Sequence, residues 1–181
     1  KKPFVLGSGI MGAGIGQLCA QQGYEVFISD VSEEMIGKAE TKVAGGLRRR
    51  IEKGKITQED MDSVLSRMHW TADMNQARES DFVVEAVFEN LELKKDIFKN
   101  LDSICSPQTI LATNTTALSI SEIATATQRP DKVIGMHFFN PAVIMKLVEI
   151  IRGDQTSEET VEMTKSFAEA LGKAPIATSK E

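Results

Sequence analysis

Apolar residues recur along this chain in two rhythms, one suited to strands and one to helices. Residues 3–6, Pro-Phe-Val-Leu, form a short apolar run that stops at Gly7, and residues 24–28, Tyr-Glu-Val-Phe-Ile, form a second. Between them Ile15, Leu18, Cys19 and Gln22 follow the i, i+3, i+4 spacing of one helix face. Strand, glycine turn, helix and strand within about 30 residues make a βαβ unit. Residues 32–53 read as a long helix with Ile36, Ala39, Val43, Leu47 and Ile51 on its inner stripe. Thr57 and Asp60 are spaced as a capping box, opening a helix that carries Met61, Val64, Leu65 and Met68. With Gly54 at the bend, the two predict a helical hairpin over about 33–67.

The remaining pattern continues the alternation. Strands are predicted at 68–72, 81–87, 109–113, 133–138 and 146–151, with 175–177 as an edge strand. Helices are predicted at 91–104, at 120–127 behind Ser119 and Glu122 as a capping box, and at 157–171. The last is expected to start at cap Thr156 and stop at Gly172. Alternating strands and helices predict a doubly wound α/β fold, a mostly parallel sheet with the helical hairpin inserted, as one domain over 1–181.

Composition narrows the function classes. At 181 residues and 41% hydrophobic content the chain can bury a substantial core. A net charge of -5 argues against a general nucleic-acid binder, while a local basic patch can still hold one anionic ligand. No apolar run approaches the roughly 20 residues that span a bilayer, so the expected location is cytoplasmic, without membrane partners. Lys1 already enters a strand, so the authentic N-terminus is expected to lie upstream. Cys19 and Cys105 lack metal-type spacing and read as two reduced, buried thiols, with no metal site expected.

The sharpest local signal is Gly7-Ser8-Gly9-Ile10-Met11-Gly12. The first glycine permits a tight turn, the second lets backbone approach a pyrophosphate, and the third packs helix against strand. The helix N-terminus adds N–H donors and a positive dipole end. This motif follows a strand, opens a helix and is answered by Asp30, 18 residues after Gly12, at the end of the next strand. A carboxylate there accepts hydrogen bonds from ribose hydroxyls and repels a 2′-phosphate, which selects NAD over NADP. Helix capping is its bland alternative.

A dinucleotide fold does not by itself specify a reaction. His137 and Glu149 lie on two predicted strands joined by a connection centred near Val143. A hairpin folded about that point sets them directly opposite, on one face of the sheet. Glu149 would then accept the Nδ1 proton of His137, leaving Nε2 as a base for a substrate hydroxyl. Hydride transfer requires such a base. Residues 112–116, Ala-Thr-Asn-Thr-Thr, follow a strand where α/β sheets bind ligands, although such loops often only turn or cap. His69 reads as surface or core filler.

These segments, with VVEAVFEN at 83–90, ATNTTALSI at 112–120 and VIGMHFFNPAVIMKLVEIIRG at 133–153, resemble the 3-hydroxyacyl-CoA dehydrogenase family throughout the chain. The resemblance implies that His137 is the catalytic base, Glu149 its partner and Thr116 the substrate-binding hydroxyl. It implies NAD contacts for Glu89, Lys94 and Asn114, and a substrate role for Asn140. Arg49 and Lys53, four apart on the long helix, are neighbours, and the family uses this hairpin to hold CoA phosphates. It further implies a helical C-terminal domain, absent here, that closes the cleft and joins a homodimer. Two departures bear on the site: Thr116 stands where Ser is usual, and Val143 where Pro is common, which is expected to loosen the hairpin connection. A non-catalytic NAD-binding module and a dehydrogenase of a non-CoA 3-hydroxy acid remain open at this stage.

Overall fold

Both rhythms resolve into regular elements in the computed structural model, which describes residues 1–178. The strands are β1 (Pro3–Leu6), β2 (Val26–Ser29), β3 (Met68–Thr71), β4 (Phe82–Glu85), β5 (Ile110–Thr113), β6 (Val133–Phe138), β7 (Leu147–Arg152) and β8 (Ala174–Thr178). The helices are α1 (Ile10–Gln21), α2 (Glu33–Glu52), α3 (Gln58–Ser66), α4 (Leu91–Ile104), α5 (Ile120–Ala124) and α6 (Glu158–Ala170). One sheet joins the strands in the order β3-β2-β1-β4-β5-β6-β7-β8. The first six are parallel; β7 runs antiparallel to β6, and β8 parallel to β7. The order reverses between β1 and β4, and a crevice at such a switch point is where open α/β sheets hold ligands.

Alternation along each strand sends successive side chains to two cores. Val5, Ile28, Val84, Ala112 and Met136 pack on one face with residues of α1, α2, α3 and α6. Phe4, Leu6, Val83, Leu111 and Val133 pack on the other with α4 and α5. Burial on both faces explains why the central strands read as nearly unbroken apolar runs. The helical hairpin forms as expected, with Ser32 capping α2 and Thr57 with Asp60 closing a reciprocal capping box on α3.

Two helix ends differ from the sequence expectation. The cap of α6 is Ser157, whose Oγ accepts the Thr160 N–H at 3.1 Å. Thr156 instead donates its hydroxyl to the Val133 carbonyl at 2.7 Å and accepts the Gly153 N–H at 2.9 Å. Helix α5 ends at Ala124 rather than 127. Thr125 and Thr127 turn their hydroxyls onto the Glu122 and Ala124 carbonyls, the local competition with backbone that makes threonine a poor helix extender.

Candidate active site

The glycine turn sits at the carboxyl end of β1, against the switch point. Gly7 has φ +104°, and a Cβ there would meet the Ala86 carbonyl oxygen at 2.6 Å. A Cβ on Gly12 would stand 1.8 Å from the Gly7 carbonyl oxygen, so only glycine lets α1 start this close to the turn. Around Gly9 the space is open. Gly9 caps α1 without any side-chain hydrogen bond, which leaves the helix's first N–H groups for an anion. The cradle fits a pyrophosphate.

Asp30 closes the other side. Its Oδ2 accepts the Ser8 N–H at 2.7 Å and the Ser8 hydroxyl at 2.6 Å, and its Oδ1 accepts the Val31 N–H at 2.7 Å. Because Ser32 caps α2, the capping alternative for Asp30 does not hold. The carboxylate is instead tied to the glycine turn through Ser8.

Across the sheet, His137 pairs with Glu149 in the β6–β7 register, as folding about Val143 requires. Their side chains share a face, with Nδ1 2.9 Å from Glu149 Oε2. The Phe139 ring packs on the imidazole at a centroid separation of 4.5 Å. The arrangement holds the ring by Nδ1, with Nε2 on its far side. Several hydrogen bonds hold the turn around Val143. Ile144 and Met145 both donate their N–H groups to the Pro141 carbonyl. Lys173, nearly buried, donates its ammonium to the carbonyls of Ala142 and, at 2.7 Å, Met145. Burial holds that ammonium below the usual lysine range, and the nearby Lys146 adds to the effect.

Loops between these poles bring the other candidates together unevenly. Asn114 Oδ1 accepts the Phe138 N–H at 2.8 Å, which ties the β5 loop to the residue after His137 and leaves the amide NH2 for a ligand. Thr116 lies exposed on the same loop. Glu89, half-exposed, accepts the Thr115 hydroxyl at 2.7 Å. Lys94 is not a surface charge: its side chain is 0% exposed and its ammonium lies 2.6 Å from Glu85, also 0% exposed. The sequence pattern assigns no role to Glu85 or Lys173, and marks Thr115 only as one polar residue of the 112–116 loop. A carboxylate ending the apolar run 82–84 was the available signal for Glu85.

A cleft of about 610 Å³ runs between α1, α2 and the hairpin turn. Asn140 to Val143 form one wall, and Lys38, Lys42 and Arg49 stand on the other. Lys53, the C-cap of α2, does not line it. Nor does His137. Cys19 and Cys105 are free and buried. No helix among the described residues is long and apolar enough to cross a membrane.

Residues 3–181 match the model of the 3-hydroxyacyl-CoA dehydrogenase, NAD binding domain. The chain is 45% identical over 176 residues to a probable 3-hydroxybutyryl-CoA dehydrogenase of Bacillus subtilis, covering 97% of this chain and 61% of that protein. It is 44% identical over 172 residues to a probable 3-hydroxybutyryl-CoA dehydrogenase of Deinococcus radiodurans, covering 95% and 62%. The crystal structure of (S)-3-hydroxybutyryl-CoA dehydrogenase from Ralstonia eutropha superposes with a TM-score of 0.96 at 40% identity, over 99% of this chain and 64% of that one. The chain thus spans about three fifths of the length of the curated relatives it matches. The chain belongs to the NAD-binding domain family of the 3-hydroxyacyl-CoA dehydrogenases, and its dinucleotide is NAD.

Proposed function

We propose that the protein containing this chain interconverts (S)-3-hydroxyacyl-CoA, with 3-hydroxybutyryl-CoA the favoured substrate, and 3-oxoacyl-CoA. The single observation that carries the reading is the His137–Glu149 pair at 2.9 Å, held on one face of adjacent strands in the sheet that carries the NAD cradle. Bound NAD supplies the hydride acceptor. His137 Nε2 receives the hydroxyl proton as the carbinol carbon is oxidised, and returns it to the ketone oxygen in reverse. Glu149 keeps Nδ1 protonated, fixing the tautomer, and stabilises the imidazolium that forms. Thr116 and Asn140 orient the acyl oxygen. Arg49, with Lys38 and Lys42 along the cleft and Lys53 at the helix end, offers cations to the phosphates of CoA.

Protein including the remaining length is expected to oxidise NADH with acetoacetyl-CoA and to leave free acetoacetate largely unreduced; equal rates on both would point to a non-CoA 3-hydroxy acid. His137→Ala should lower kcat by about 10²–10⁴, the range for a general base, with NADH affinity retained. Comparable loss of rate and NADH binding would remove His137 from this role. The proposal also takes the protein as a homodimer joined through a C-terminal helical domain, which sedimentation of the longer protein tests.

A further inference from the structure

We propose that Glu85 is a positioning residue for the cofactor edge of the site, setting the 86–89 loop and the 114–116 loop against each other through its buried carboxylate. The inference rests on the NAD reading of that edge. Glu85 ends β4, where every preceding side chain is apolar and buried. Its Oε1 accepts the Val87 N–H and the Lys94 ammonium, both at 2.6 Å, and its Oε2 accepts the Thr113 hydroxyl at 2.6 Å. A well-packed apolar pair of similar volume is often as stable as a buried ion pair or more so. Stability alone therefore gives little reason for the pair.

The hydrogen bonds show what the pair does. Lys94 also donates to the Val87 carbonyl at 3.3 Å and stands 4.0 Å from Glu89 Oε1. Glu89 takes the hydroxyl of Thr115, which itself accepts the Leu118 N–H at 3.1 Å. The Asn114 N–H donates to the Glu85 carbonyl at 2.8 Å, while Asn114 Oδ1 holds the Phe138 N–H. On the other side the Ala86 N–H donates to the Leu6 carbonyl at 2.7 Å, beside the glycine turn. Glu85 is thus the hub of one polar unit touching the ends of β1, β4, β5 and β6. Two of its carboxylates are Glu85, fully buried, and Glu89, whose side chain is 42% exposed. Fixing the first sets where the second stands.

The test separates position from stability. NADH affinity and thermal midpoint would be measured for this chain, for the double variant Glu85→Met with Lys94→Met, and for Thr113→Val. The apolar pair is expected to keep a midpoint near that of the parent and to bind NADH about tenfold more weakly, the scale on which supporting partners of a binding group act. Thr113→Val, nearly isosteric, should lower the midpoint, because buried Glu85 Oε2 loses its donor, and weaken NADH binding of the folded protein by a smaller factor; it decides the matter if the double variant fails to fold. Parent-like NADH affinity in a folded variant would overturn the positioning role. Absence of NADH binding by the parent chain would instead overturn the NAD reading, and this proposal with it.

Discussion

The two ends of helix α4 each bury an ion pair, and the pairs obey different logic. At the C-terminal end Arg129 meets Asp102 at 2.6 Å and donates to the carbonyls of Asp102, Cys105 and Ser106, the last through a very short contact. A guanidinium there satisfies carbonyls that the helix leaves unpaired and complements the negative end of its dipole. At the N-terminal end Lys94 sits in the first turn, where the dipole disfavours a cation. Its burial is tolerable because Glu85 neutralises it and the Val87 carbonyl accepts a hydrogen bond from a second N–H. One pair closes a helix. The other spans loops around a ligand crevice, against local electrostatic preference, as is characteristic of sites shaped for function.

This contrast can be broken in several ways. Arg129→Met should have the largest effect on stability, a loss of about 3–5 kcal/mol for an unpaired buried partner, with the NADH affinity of the folded fraction unchanged. Chemical denaturation followed by NADH titration below the transition checks both halves, and a weakened NADH affinity would erase the distinction between the two ends. Next, Asn90→Ala removes the N-cap of α4, whose Oδ1 accepts the Leu93 N–H at 2.9 Å. The expected cost is about 1 kcal/mol, read as a shift in denaturation midpoint. The smallest effect is a chemical silence. Burial pushes the Cys105 thiol up to about 11 and the Cys19 thiol up to about 12, so neither should react with iodoacetamide near pH 8 in the native protein. In Arg129→Met, which removes the donor to the Cys105 carbonyl, Cys105 should begin to label while Cys19 stays protected. Equal labelling of both would indicate global unfolding rather than opening of that one end.

Much of this molecule was legible along the chain because the decisive information is local. Periodicities of 2 and 3.6 placed the central strands and the helical hairpin. The spacing of Gly7, Gly9 and Gly12 dictated a turn that admits no Cβ at Gly7 or Gly12, and Asp30 followed from the length of one βαβ unit. Hairpin arithmetic about Val143 brought His137 opposite Glu149 because antiparallel register is a counting rule. The helix ends were less legible, since Thr156 and Ser157 compete for one cap and a carbonyl on β6 decided between them.

Tertiary structure alone decided the long-range polar partners. Nothing near Lys94 in sequence announces that its ammonium will be buried, because its charge partner arrives from the end of a neighbouring strand. Lys173 holds the hairpin turn from about 30 residues away. Arg49 was brought to the cleft and Lys53 was not, although both share a helix face, since the cleft's extent depends on where α1 and the hairpin turn lie. Backbone pattern is inherited from neighbours along the chain, whereas the partner of a buried charge is set by which strand ends the sheet gathers together.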